Sequence, residues 1–98
     1  MQFLVLAYDS SDENAPDRRM AARPAHLALG DTMRAEGKHL YATAILGDED
    51  AMIGSMVVCQ FDTREELDQW LEAEPYVTGD VWEHIMVQPC KVGPSYAK

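Results

Sequence analysis

The spacing of apolar residues along this chain changes several times, and each change marks an element. Gln2 to Tyr8 is a short run of strand formers, with Phe3, Val5 and Ala7 pointing one way and Leu4, Leu6 and Tyr8 the other. Both faces of that run are apolar. Asp9 to Asn14 is polar, with Ser10, Ser11 and Asp12 as turn formers, and is predicted as a loop. Pro16 suits the first turn of a helix, where its missing N–H costs nothing. The helical pattern then runs to about Glu36 and stops at Gly37. Its inward stripe is Ala22, His26, Leu29 and Met33. At about 100° per residue these four fall within roughly 60° of one another, while Leu27 points away. Pro24 removes a backbone bond and crowds the preceding turn, which predicts a kink or restart with a freed carbonyl near Met20.

Period-two alternation returns after Gly37. Lys38 to Leu46 is predicted as a second strand, with Leu40, Ala42 and Ala44 alternating against Tyr41, Thr43 and Ile45. Gly47-Asp48-Glu49-Asp50 is a turn; it lacks the ligand spacing and terminal Glu of a calcium loop, so its acids are expected to be solvated. Ile53 to Phe61 is a third strand. Ile53, Ser55, Val57, Cys59 and Phe61 share one face, with Met56, Val58 and Gln60 on the other, so Ser55 is a polar residue in an apolar row. Thr63 and Glu66 have the spacing of a capping box for a second helix buried through Leu67, Trp70 and Leu71. That helix must end by Glu74, because Pro75 disfavours helical geometry in the residue before it. Tyr76 to Val81 is expected to be irregular, Glu83 to Val92 is a fourth strand, and Gly93-Pro94 begins a loose tail over 92–98.

The order β-α-β-β-α-β predicts an α+β, ferredoxin-like arrangement in a single domain, 1–98: an antiparallel four-stranded sheet with two helices on one face. Two helices leave the other face bare although it is rich in apolar residues. A second copy of the chain is the expected cover, giving a homodimer through the open sheet face; partial exposure of Ala and Met is the plainer alternative.

Composition narrows the function. The chain is 47% hydrophobic and 26% charged, an ordinary globular balance. Its formal net charge of −9 provides no basic footprint, which argues against nucleic acid and against an anionic membrane surface. No run is long enough to span a membrane, and Met1-Gln2-Phe3-Leu4-Val5 lacks the basic start of a signal peptide. Cys59 and Cys90 form no metal or redox motif, so the expected setting is cytoplasmic, with Cys59 as a small core hydrophobe. His26, His39 and His84 have no metal-ligand spacing, and no cofactor loop is evident; neither metal nor cofactor is expected.

The candidate chemistry centres on His26, an ionisable ring on the stripe that should face the core. A core histidine bonded to backbone is the competing account. Pro75 forces Glu74 out of the second helix, whose end should lie beside the first helix. A carboxylate there within reach of the imidazole would fix its tautomer and stabilise its protonated form, making an acid–base dyad. Arg23 is a candidate clamp for an anionic substrate, or a partner in a surface ion pair. Ser55 is a candidate ligand contact, or satisfies nearby backbone. Tyr8 and Tyr76 are candidate pocket residues, though buried tyrosines with a bonded hydroxyl are commoner. His84 is expected to be structural, and His39, beside Lys38, to be exposed.

Arg23-Pro24-Ala25-His26-Leu27, Gly54-Ser55 and Glu74-Pro75-Tyr76-Val77, leading to Trp82-Glu83-His84-Ile85 and Pro89, together resemble the YCII-related domain family. The resemblance spans nearly the whole chain. It implies a dimeric ferredoxin-like fold and an active site built on a His–Asp pair, with His26 matching the histidine. Glu74 stands where the family pattern has Asp, and the extra methylene requires a shifted helix end or an altered pairing geometry. The expected function is a small enzyme using His26 and Glu74 for elimination, isomerisation or proton abstraction on a small polar or aromatic molecule. The rivals are a non-catalytic ligand-binding or regulatory dimer and a pure assembly domain.

Overall fold

The computed structural model describes residues 1–97. Strand β1, Gln2–Asp9, takes a central place in a four-stranded sheet of order β2-β3-β1-β4, with β2 at His39–Leu46, β3 at Met52–Gln60 and β4 at Trp82–Cys90. Every neighbouring pair is antiparallel. Helix α1 spans Ala15–Ala35, α2 spans Arg64–Ala73, and a four-residue α3 spans Pro75–Thr78. This is the α+β, ferredoxin-like architecture that the element order implies.

The alternation in β1 sorts the sheet into two faces. Phe3, Val5 and Ala7 pair opposite Cys59, Val57 and Ser55, and all six are buried on the helix side. Met33 of α1, Leu67 and Trp70 of α2 and Tyr76 of α3 close over them. Burial pushes the Cys59 thiol up to about 12, which suits an inert core residue. On the opposite face, Leu4 and Leu6 lie beside Val58, Met56 and Met86, with Tyr8, Tyr41 and Met86 substantially exposed.

Several local expectations are corrected. Pro24 does not restart the helix: α1 is continuous from Ala15 to Ala35. Pro24 removes the donor to the Met20 carbonyl, and Met20 and Pro24 both lie on the exposed side, where water can replace the lost bond. The segment expected to be irregular begins with α3, because Pro75 is favourable at a helix start. Ile53 leaves the buried row of β3 and is exposed, next to the register shift that pairs Leu46 with Met52. Thr63 Oγ1 accepts from the Glu66 N–H at 3.2 Å, so one half of the capping box forms; the return bond from Glu66 is absent among the described residues.

Helices α1 and α2 protect the middle of the sheet but not its β2 edge. Ala42 and Ala44 lie opposite Val57 and Ser55, on the helix side, yet remain exposed. A cleft is left between α1 and β2. At the far end of that edge, Gly54 is held against β1, where an added Cβ would lie 2.5 Å from the Ala7 carbonyl oxygen. Backbone cannot yield there without parting two paired strands. Gly54→Ala is therefore expected to lower stability by about 1–3 kcal/mol, read as a lower urea midpoint at unchanged slope.

Candidate active site

Two successive turns of α1 bring Arg19, Arg23 and His26 to the cleft, since residues three, four and seven apart share a helix face. Glu74 reaches the same place from the other side. Pro75 stops α2 at Ala73, leaving Glu74 extended at φ −67° and ψ 123° as both the last cap of α2 and the first cap of α3. Its Oε1 accepts the Tyr76 N–H at 3.3 Å and is bonded to His26 Nδ1. The Glu74 side chain is 1% exposed and that of His26 21%. The Glu74 side chain folds back over the start of α3 to make both contacts.

An ionised Glu74 can only accept, so Nδ1 is the donor to Oε1 and Nε2 is the ring nitrogen left with a lone pair whenever the imidazole is neutral. Nε2 has no hydrogen-bond partner among the described residues, and it is not one of the buried unpaired atoms. The ring stacks on Tyr76 at 3.8 Å between centroids and 13° between planes, with Trp82 edge-on at 6.1 Å. Gly79 permits this approach of α3 to α1: a Cβ there would lie 2.7 Å from the Pro75 oxygen and 3.3 Å from Ala22 Cβ. Burial raises the Tyr76 hydroxyl above its ordinary value, against the opposing pull of Arg19 and Arg23.

A second buried pair lies behind the first. Arg19 Nη1 contacts both Asp9 oxygens, at 2.9 and 3.0 Å, with side chains 4% and 7% exposed. Its Nη2 donates to Ser55 Oγ at 3.2 Å, its guanidinium lies 4.6 Å over the Tyr76 ring, and its Nε is buried without a partner. Trp82 Nε1 donates to the same Ser55 oxygen, also at 3.2 Å. Two pockets flank His26. The smaller, about 180 Å³, is bordered by Arg19, Arg23, Ser55 and Tyr76; the larger, about 390 Å³, by Asp31, Arg34, His39, Leu40 and Tyr41.

Of the residues singled out in the sequence, His26, Glu74, Arg23, Ser55 and Tyr76 come together. Arg23 has no ion pair or side-chain hydrogen bond among the described residues, so the surface-pairing account is not what the structure records. Tyr8 is not brought to His26: it lies opposite Gly54 and His84 and borders other hollows, beside Asp9 and Met52 and beside Leu6 and Met86. His84 is likewise not structural but exposed, 3.3 Å from Glu83. His39 reverses its expectation most fully. A register shift at the start of β2 turns it inward, opposite Cys59 and edge-on to Trp70, at 7% exposure with Nε2 unpaired.

Arg19 and Asp9 are site residues that sequence reasoning does not single out, and Trp82 enters it only through the family motif. A signal was present: Arg19 sits seven residues before His26, about 20° from it on the helical wheel. Asp9 continues the Phe3-Val5-Ala7 row one step further. Both look like surface charges until the fold closes them on each other. No group of three or more His, Cys, Asp or Glu side chains among the described residues is placed to hold a metal ion.

Burial holds the His39 imidazole down at about 4, from an ordinary 6.5, with His26 adding to the effect and the Glu74 charge opposing it. The folded state keeps this ring neutral, while the unfolded chain protonates it below its ordinary value. Its contribution is therefore complete above the unfolded value and is lost as pH falls from there toward the folded one. At about 1.4 kcal/mol per pKa unit the loss is on the order of 3 kcal/mol. Urea titrations at neutral and mildly acidic pH are expected to show a steeper fall for the parent than for His39→Phe.

With the geometry established, comparison with known proteins is informative. The YCII-related domain matches over residues 1–91. Protein YciI of Escherichia coli O6:H1 (strain CFT073) is 32% identical over 93% of this chain and 97% of its own length. The Shigella flexneri protein of the same name matches to the same extent. An uncharacterized protein of Haemophilus influenzae is 30% identical over the same shares. Among solved structures, 5-chloro-2-hydroxyhydroquinone dehydrochlorinase from Burkholderia phenoliruptrix AC1100, in complex with 2,5-dihydroxybenzoquinone, superposes with a TM-score of 0.83. It covers 97% of this chain and 98% of its own at 23% identity, a likeness of fold.

Proposed function

The chain belongs to the YCII-related domain family, and from that footing we propose that the cleft between α1 and β2 is the active site of a small-molecule acid–base enzyme. The observation that carries this reading is the bond between His26 Nδ1 and the buried Glu74 carboxylate, which leaves Nε2 as the one lone pair of the ring at the pocket. Nε2 takes a proton from the substrate, and Glu74 holds the ring and balances the imidazolium that forms. Elimination, isomerisation or proton abstraction suits this set, because none of them needs an activated nucleophile.

The substrate is small and acidic. The pocket of about 180 Å³ is close to the roughly 150 Å³ cavity that accepts one benzene ring. Arg23, an unpaired guanidinium in a chain of net charge −9, is matched to a carboxylate or phenolate through a bidentate fork. The Burkholderia neighbour, by its name, acts on a chlorinated hydroxyhydroquinone, which fits the same class of oxygenated ring. A screen of small hydroxylated aromatic and keto acids is the test. Turnover is expected to fall at least about 100-fold in His26→Ala and to fall in Glu74→Gln, with Glu74→Asp retaining part of it. Turnover that survives His26→Ala unchanged removes the catalytic role, and binding without turnover in the parent leaves a ligand-binding module.

The bare sheet face belongs to the same proposal as the surface through which two copies pair. Leu4, Leu6, Met56, Val58 and Met86 form a continuous apolar row there, and a two-fold axis lets one such face cover another. Light scattering at micromolar concentration is expected to give twice the mass of the chain for the parent and a single mass for Leu6→Glu. A monomeric parent sinks the pairing.

A further inference from the structure

Ser55 Oγ is in an unusual position for a buried hydroxyl. It receives two hydrogen bonds, from Arg19 Nη2 and from Trp82 Nε1, each at 3.2 Å. A hydroxyl oxygen has two lone pairs and one proton. Both lone pairs are engaged, so the proton has to be given away. No acceptor takes it among the described residues, while the residue borders the same small pocket as His26 and Arg23. The donors cannot turn elsewhere. Arg19 is locked by two contacts to Asp9 and lies over Tyr76, and Trp82 is buried against the ring stack. Ser55 is thus left with only its proton to offer, at the edge of the pocket and polarised by a buried guanidinium.

We propose that Ser55 is a catalytic residue, the hydrogen-bond donor to the oxygen on which negative charge develops when His26 removes a proton, and that the substrate accordingly carries a carbonyl whose oxygen becomes an enolate or phenolate in the reaction. The proposal rests on the acid–base reading of His26 and deepens it. In the step, Nε2 takes the proton from the carbon beside a carbonyl. The C–H electron pair becomes a C=C bond, and the carbonyl π pair moves onto oxygen as an enolate. Where a leaving group stands on the next carbon, the pair returns from oxygen, a new double bond forms, and the leaving group departs with its bonding electrons. No outside oxidant or reductant enters. Stabilisation of the intermediate oxygen by a donor already fixed before reaction is the largest contribution such a pocket makes. Arg19 and Trp82 are positioning residues, since they act through Ser55, and Asp9 acts through Arg19.

The test uses 4-nitrophenol, whose neutral and ionised forms absorb at different wavelengths, so that the charge state of the bound probe is read directly. At a pH where the free probe is partly ionised, the parent is expected to bind it with the ionised fraction increased. Ser55→Ala is expected to lose about tenfold in affinity for the phenolate and to lower the ionised fraction below the parent's, Arg23 still favouring the anion, with Ser55→Thr restoring both. Failure of the parent to bind the probe, or an ionised fraction in Ser55→Ala equal to the parent's, overturns the proposal. Should Ser55→Ala fail to fold, as judged by circular dichroism, Trp82→Phe decides. It keeps the hydroxyl and the aromatic packing but frees one lone pair, so the ionised fraction must fall for the proposal to stand. The two readings separate cleanly: probe ionisation independent of Ser55, with turnover lost in His26→Ala, leaves the dyad standing and removes Ser55. Ionisation that depends on Ser55, with turnover indifferent to His26, does the reverse.

Discussion

A carboxylate taken out of water must find donors or give up its charge, and Glu74 is the place where this chain meets that demand. Its side chain is 1% exposed. Burial without partners would cost several kcal/mol, so the structure around it is organised to supply them. Pro75 denies Glu74 a helical backbone and starts a new helix whose first N–H, that of Tyr76, is aimed at Glu74 Oε1. His26 supplies the other partner, from a helix that approaches closely enough only because Gly79 has no side chain. The contact that fixes the imidazole therefore also closes α3 onto α1.

The arrangement is doubled. Asp9 and Arg19 form a second buried ion pair at the end of β1, and Tyr76 lies between the two, stacked on His26 on one side and under the Arg19 guanidinium. A buried ion pair contributes little net stability, since desolvation consumes most of what attraction gives. Its benefit is fixed geometry. Asp9 holds Arg19 in place, Arg19 and Trp82 fix Ser55, and Glu74 fixes His26, so two polar groups with spare hydrogen-bonding capacity face one pocket with little freedom to reorient. The pocket itself exists because the helices stop short of β2, where Ala42 and Ala44 leave room that larger residues would fill. An acidic protein thus keeps a guanidinium without an ion-pair partner among the described residues, that of Arg23, at the cleft, while many of its acids lie on solvent-facing turns and helix ends.

How much of this was legible in the sequence depended on how local the cause was. The strand faces of β1 and β3 follow from period-two alternation, and the α1 stripe from the helical repeat. The end of α2 follows from Pro75, whose steric effect reaches only one residue back. His26 sat on an inward stripe and Glu74 was pushed out at a helix end, a weak signal by itself; the resemblance to a family with a His–Asp pair is what joined the two. The burial of His39 and the distance of Tyr8 from His26 were not legible for a common reason. Their placement turns on register and on which sheet face the helices cover, and a single-residue shift at the start of β2 reverses the side a residue faces. Ile53 was lost to the other register shift in the same strand pair.

The sequence by itself determined the four strands, the two long helices, their order and hence the α+β fold, and it put His26 on an inward stripe and Glu74 at a helix end, because helix and strand periods and a proline's sterics act over a few bonds. Only the tertiary structure decided that Arg19, Asp9, Ser55 and Trp82 form one network, that His39 is buried and that Tyr8 is remote from the site. Those facts depend on how strands pair and helices dock across tens of residues. A charged residue in the sequence carries no mark of whether its partner will be water or another buried charge.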